Sequence, residues 1–163
     1  MKEKISDLLG IVREEINLYR DLVEHARRKT ALLVQGRVEA ILESNKIEET
    51  FNAKLRALEE EMANICRDLS QAFRIPREEF TLMKLADSLE QSLALEFKSQ
   101  ATLFRNLVKQ LKSVNQRNMR LIESSVRYSE GLLALFANAR GAYQPTGLFE
   151  PIPRIKPTFS QSA

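Results

Sequence analysis

The feature that most constrains this chain is an unbroken apolar rhythm over its first thirty-odd residues. Ile5, Leu9, Val12, Ile16, Tyr19, Val23, Ala26, Thr30 and Leu33 follow one another in alternating steps of four and three. That spacing keeps them on one side of an α-helix and is the seam of a coiled-coil-like packing. Leu8, Leu18 and Leu22 widen the stripe. At 1.5 Å per residue the helix is roughly 50 Å long. Gly36 marks its end, because glycine enters the left-handed cap conformation without a Cβ penalty.

The same rhythm returns after Gly36. A second helix is predicted from Val38 to Phe73, with a seam of Phe51, Leu55, Leu58, Met62, Ile65, Leu69 and Ala72. Ser44, Asn45, Glu48 and Glu49 interrupt the stripe in its first half, so that half is expected to pack loosely or to face solvent. Pro76 disfavours a helical Ile75, which makes residues 74–81 a connector. Thr81 is a natural N-cap for a short third helix over Leu82–Ala86. A long fourth helix is predicted from Leu89 to Asn138. Its stripe runs Leu93, Phe97, Phe104, Leu107, Leu111, Val114, Asn118, Leu121, Ser125, Tyr128, Leu132 and Leu135.

No segment alternates with the period of a strand. Four of the five prolines lie after Gly141, and the chain has no tryptophan. The expected fold is all-α: an elongated antiparallel helical bundle or coiled coil of three long helices and one short one, with a flexible C-terminal tail. Residues 1–139 make the helical domain and residues 140–163 the tail, whose prolines forbid a continued helix.

The charge pattern excludes several functions. With 29% charged residues and a net charge of +3, both signs are interspersed, as on solvated helix faces. His25-Ala26-Arg27-Arg28-Lys29 is the nearest approach to a basic cluster, and it reads as a solvated helix face rather than a nucleic-acid footprint. No apolar run approaches the ~20 residues of a membrane span. Cys66 is the single cysteine, which leaves no internal disulfide and fits a reducing, cytoplasmic setting.

Chemistry is equally sparse. A di-metal carboxylate bundle requires a Glu-x-x-His pair on each of two helices. This chain has one histidine, His25, with Asp21 four residues before it, a spacing that reads as a surface ion pair. Cys66 lies beside the Ile65 stripe and reads as a small buried apolar group. The five glycines are isolated, so no phosphate-cradling loop is present. Glu59-Glu60-Glu61 reads as a solvated face. No catalytic, metal or cofactor site is expected.

Binding surfaces remain. Leu121, Ser125, Tyr128, Leu132, Leu135 and Phe136 share one face of the fourth helix; Met119, Ile122, Val126 and Leu133 share the adjoining one. The apolar arc spans about 200°, against the ~100° or somewhat more that a surface helix uses. Either the helix end is sandwiched between two neighbours, or it keeps one face in the bundle and offers the other to a partner. Gly131 within it costs about 1 kcal/mol relative to alanine, and permits either a close backbone approach or a bend. Asn115 and Asn118 are polar positions at or beside the stripe, either fixing register or facing solvent. Tyr143, with Leu148, Phe149, Ile152, Ile155 and Phe159, strings apolar anchors along the tail, the pattern of a linear recognition segment.

The block Asn115-x-x-Asn118-x-x-Leu121-Ile122-Glu123, about twenty further helical residues, and then Tyr143-x-x-x-Gly147 resembles the FlgN family of flagellar export chaperones. Leu8 through Glu43, with Gly36 and the restart at Val38, is similar to that family's N-terminal helical hairpin, and the Thr81-Leu82-x-x-Leu85-Ala86 restart also agrees. The resemblance implies a cytoplasmic, non-enzymatic chaperone without cofactors. It would hold hook–filament junction (hook-associated) proteins and deliver them to the cytoplasmic domain of the export gate, with no nucleic acid and no stable membrane insertion. It places cargo binding on Met119, Ile122, Val126, Leu133 and Phe136, and gate docking on Tyr143. A structural coiled-coil protein that self-assembles through the same arc is the alternative. The tail departs from the family pattern at Gln144-Pro145-Thr146 and at Pro151-Ile152-Pro153.

Overall fold

A computed structural model describes residues 2–141. Helix α1 spans Lys2–Val34, α2 Val38–Phe73, α3 Leu82–Asp87 and α4 Gln91–Gly141. The described residues form no strand, and the fold is a bundle of three long helices and one short one, as the apolar rhythm predicts. Two compact units divide within α4, after Leu121.

In the first unit the direction of each helix follows from its cross-links. Lys4 near the start of α1 pairs with Asp68 near the end of α2, and His25 further along α1 meets Ser44 near the start of α2; one number rises as the other falls, so α1 and α2 are antiparallel. Arg13 pairs with Glu96, Arg27 donates to Gln110, and Thr30 meets Asn118. Both numbers rise, so α1 and the first part of α4 run parallel, as the first and last helices of an up-down-up bundle must. Helix α1 is the central element. Its buried residues include Leu8, Leu9, Ile11 and Val12, too many consecutive positions for a single stripe, because α2 and α4 cover different sides of it.

The core joins all four helices. Leu8 and Val12 of α1, Leu69 of α2, Leu85 and Ala86 of α3 and Phe97 of α4 belong to one buried cluster. Tyr19 and Phe104 meet edge-to-face, with ring centroids 4.9 Å apart, an arrangement that adds roughly 0.5–1.5 kcal/mol to the burial of both rings. Helix α3 has six residues, too few to persist alone in water; the fully buried Leu85 and Ala86 hold it in place.

The helix ends show how the chain turns. At Gly36, φ is 64°; the amide of Arg37 donates to Leu32 and that of Gly36 to Leu33, the paired bonds of a Schellman cap. The end of α2 repeats this geometry without a glycine. Arg74 takes the left-handed conformation at φ 54° while Ile75 donates to Ser70 and Arg74 to Gln71. A non-glycine residue there costs roughly 1–2 kcal/mol. Pro76 follows and the connector continues into a single 3-10 turn, Arg77–Glu79. Thr81 then caps α3 as predicted, its hydroxyl accepting from the Lys84 amide at 3.1 Å.

Two expectations are corrected. His25 is not on the surface with Asp21. It is buried, with Nε2 2.9 Å from the Ser44 hydroxyl and 3.1 Å from the Ser44 carbonyl oxygen. A carbonyl only accepts, so Nε2 carries the hydrogen. The first half of α2 is accordingly not loose throughout: Ser44 is buried against His25, and Glu48 pairs with Lys29 at 2.7 Å. Its apolar residues are the open ones, with Val38, Leu42 and Ile47 exposed. The periodicity of α2 misled here because a buried polar pair replaces an apolar one.

Cys66 packs against the core as expected, and burial raises its thiol above the ordinary range, which opposes thiolate chemistry. Glu59, Glu60 and Glu61 are exposed. Glu15 is the unexpected carboxyl: it is buried on α1, forms no ion pair among the described residues, and is held up at about 6 by burial and then by the nearby charge of Glu59.

Candidate docking surface

Asn118 and Asn115, three residues apart in the sequence motif, have different fates. Asn118 is buried. Its Nδ2 donates to the Ala26 carbonyl at 2.9 Å, and its Oδ1 accepts from the Thr30 hydroxyl at 2.6 Å. One side chain thus uses both ends of its amide on α1, a contact that another register cannot reproduce. Asn115 faces solvent. Of the two asparagines, Asn118 is the buried, bonded one and Asn115 the solvated one. The sequence marked Thr30 only as a seam position; its hydroxyl is the missed partner.

This contact sits near the end of α1. Thr30 is four residues short of Val34, the last residue of that helix, and the same advance from Asn118 reaches Ile122. Leu121 is half-buried. From Ile122 through residue 137 every residue is exposed. Both faces of the wide arc are open: Tyr128, Leu132 and Leu135 are exposed, as are Ile122, Val126 and Leu133.

Met119, Ile122, Val126, Leu133 and Phe136 are all exposed, from 37% at Ile122 to 68% at Leu133. With Tyr128, Leu132 and Leu135 they make eight large apolar side chains on about five turns of helix. Scattered exposed apolar residues are ordinary, but a set of this size on one helix end makes it a candidate docking surface. Full burial of one such side chain is worth roughly 1.5–3 kcal/mol, before the cost of association and side-chain ordering is subtracted. Helical spacing alone indicated these residues; it did not indicate their exposure.

Gly131 lies in the middle of this surface, and nothing among the described residues comes within 4 Å of where a Cβ would stand. Close backbone approach is therefore not its role in this structure. Tyr143 and Gly147, with the rest of the tail beyond Gly141, lie outside the described residues. Among the described residues no cluster of side chains suits a metal ion, and no helix is long and apolar enough to cross a membrane. The basic run is used locally: Arg27 donates to Gln110, Arg28 pairs with Glu24 in the same helix, and Lys29 pairs with Glu48.

No curated protein and no solved structure matches the chain. The FlgN protein family does match, over residues 1–150, a span that contains the helical hairpin, the buried Asn118 contact and the exposed end of α4. By that match over most of its length, and with the all-helical fold the family resemblance implied, the chain belongs to the FlgN family of flagellar export chaperones.

Proposed function

We propose that this protein is a flagellar type III export chaperone that binds hook–filament junction proteins in the cytoplasm, keeps them from aggregating and delivers them to the export gate. The observation that carries the reading is the open apolar surface of α4 from Met119 to Phe136. A junction protein awaiting export presents an amphipathic helix whose apolar side has no partner. Laying that side against Met119, Ile122, Val126, Leu133 and Phe136 covers both surfaces at once, in the manner of helix-in-groove recognition. Tyr143 is the gate-docking residue in this reading, on a tail joined directly to the cargo-bearing helix. Function then requires two separable contacts, cargo on the helix and gate on the tail.

Co-purification tests the first contact. Leu133→Ser with Phe136→Ser removes two apolar side chains that touch no core and should leave far-UV helicity unchanged. Loss of at least ten-fold in affinity for a junction protein is expected; unchanged affinity contradicts the assignment. Tyr143→Ala should keep cargo affinity and weaken binding to the gate domain, and equal gate affinity would remove the tyrosine from the account.

The same exposed helix supports a second reading, self-assembly through α4 as a structural coiled coil. Sedimentation separates the two. A monomer at micromolar concentration that forms a one-to-one complex with cargo favours the chaperone, and stable oligomers that exclude cargo favour self-assembly.

A further inference from the structure

Between Phe97 and Ile122, α4 carries Lys98, Arg105, Lys109, Lys112, Arg117 and Arg120 and no carboxylate. Lys98 is neutralised by Asp87 at 2.7 Å; the other five form no ion pair among the described residues. At 100° per residue Lys98, Arg105, Lys109, Lys112 and Arg120 fall within about 80° of one another, on the side of the helix away from Phe97 and Asn118. Overall net charge hides this ribbon, because acidic residues elsewhere, mainly on α2, offset it.

A groove of about 360 Å³ runs along the edge of the ribbon, between α3 and α4. Leu82, Met83, Phe104 and Val108 give it an apolar lining, and Arg105 and Lys109 stand on its rim one turn apart. Met83 and Val108 are exposed. The volume lies at the small end of the range for ligand sites, suited to one or two apolar side chains. All of its lining residues lie within the first unit, and none of them is assigned to cargo.

We infer that the α3–α4 groove is a second docking site, for a short peptide segment of a partner protein that pairs an apolar anchor with neighbouring carboxylates. The apolar lining takes the anchor. The carboxylates meet Arg105, Lys109 and Lys112, a basic run about 10 Å long on the helix. Charge complementarity selects an acidic partner over the chain's own tail: residues 142–163 carry Arg154 and Lys156 against the single carboxylate of Glu150. Because the contacts join exposed charges, affinity falls with ionic strength.

The full-length protein, immobilised and panned against a randomised twelve-residue display library at low salt, tests this directly. Peptides with one or two large apolar residues beside several Asp or Glu should be enriched. Titrated in solution, they should bind at least ten-fold more weakly to the Arg105→Glu, Lys109→Glu double variant and at least three-fold more weakly to Val108→Asp. All three positions are exposed, so helicity is a sufficient check on folding. Enrichment of no acidic-apolar class overturns the inference, as does equal binding of the selected peptides to the double variant. If Leu148→Ala with Phe149→Ala raises peptide affinity ten-fold or more, the chain's own tail occupies the groove and the foreign-partner assignment fails; unchanged affinity supports it. Because Leu133→Ser with Phe136→Ser leaves this groove intact, failure of the cargo assignment and failure of this one give different results.

Discussion

Asn118 and Glu15 are the two residues whose environment departs most from their chemistry. Asn118 spans α1 and α4 with both ends of its amide. Asn118→Ala removes those bonds and leaves the Thr30 hydroxyl without its amide partner, at a cost of roughly 1–3 kcal/mol, to be measured by urea unfolding. Asn118→Leu should recover much of that stability while relaxing register, visible as broadened amide resonances along Ala26–Val34. Glu15 works in the opposite sense. Its carboxyl sits at about 6 when folded, against an ordinary 4.5, so the folded protein binds the proton more tightly. Its favourable contribution is fully present below about pH 4.5 and is lost as pH rises to about 6, above which a buried carboxylate remains. Glu15→Gln should therefore stabilise the protein at pH 8 by about 1–2 kcal/mol and change little at pH 4. Equal effects at both pH values would place the carboxyl in water.

At the scale of the element, α3 and the end of α4 are opposites. Helix α3 exists because Leu85 and Ala86 reach the core; Leu85→Ala should cost about 2–5 kcal/mol in global unfolding, far more than the short helix is worth by itself. Residues 122–137 of α4, by contrast, are all exposed. Gly131→Ala should raise helicity there and slow amide exchange over residues 127–135, with a local gain of about 1 kcal/mol. Slower cargo release by the same variant would assign Gly131 a role in letting go. Helix boundaries were largely legible from sequence, because caps are local: Gly36, Pro76 and Thr81 mark their own turns. Arg74 was not legible, since a left-handed arginine has no signature of its own. His25 and Ser44 were missed for a related reason. Apolar periodicity cannot report a polar pair that forms between two helices nineteen residues apart in the chain.

For the whole molecule, the sequence identified which residues of α4 are apolar but not which are covered. Coverage is set between elements and not by the periodicity of one helix: Asn118 is buried against Ala26 and Thr30 of α1, while residues 122–137 are exposed. The core lies around α1, and the proposed function assigns recognition to the exposed end of α4. The account predicts that recognition can be removed without unfolding the bundle. Hydrogen–deuterium exchange on the full-length protein, alone and with a hook–filament junction protein, tests this most directly. Protection should rise across residues 119–136 and change little across the α1–α2 hairpin. Protection confined to the hairpin, with residues 119–136 exchanging as fast as in the free protein, would contradict it.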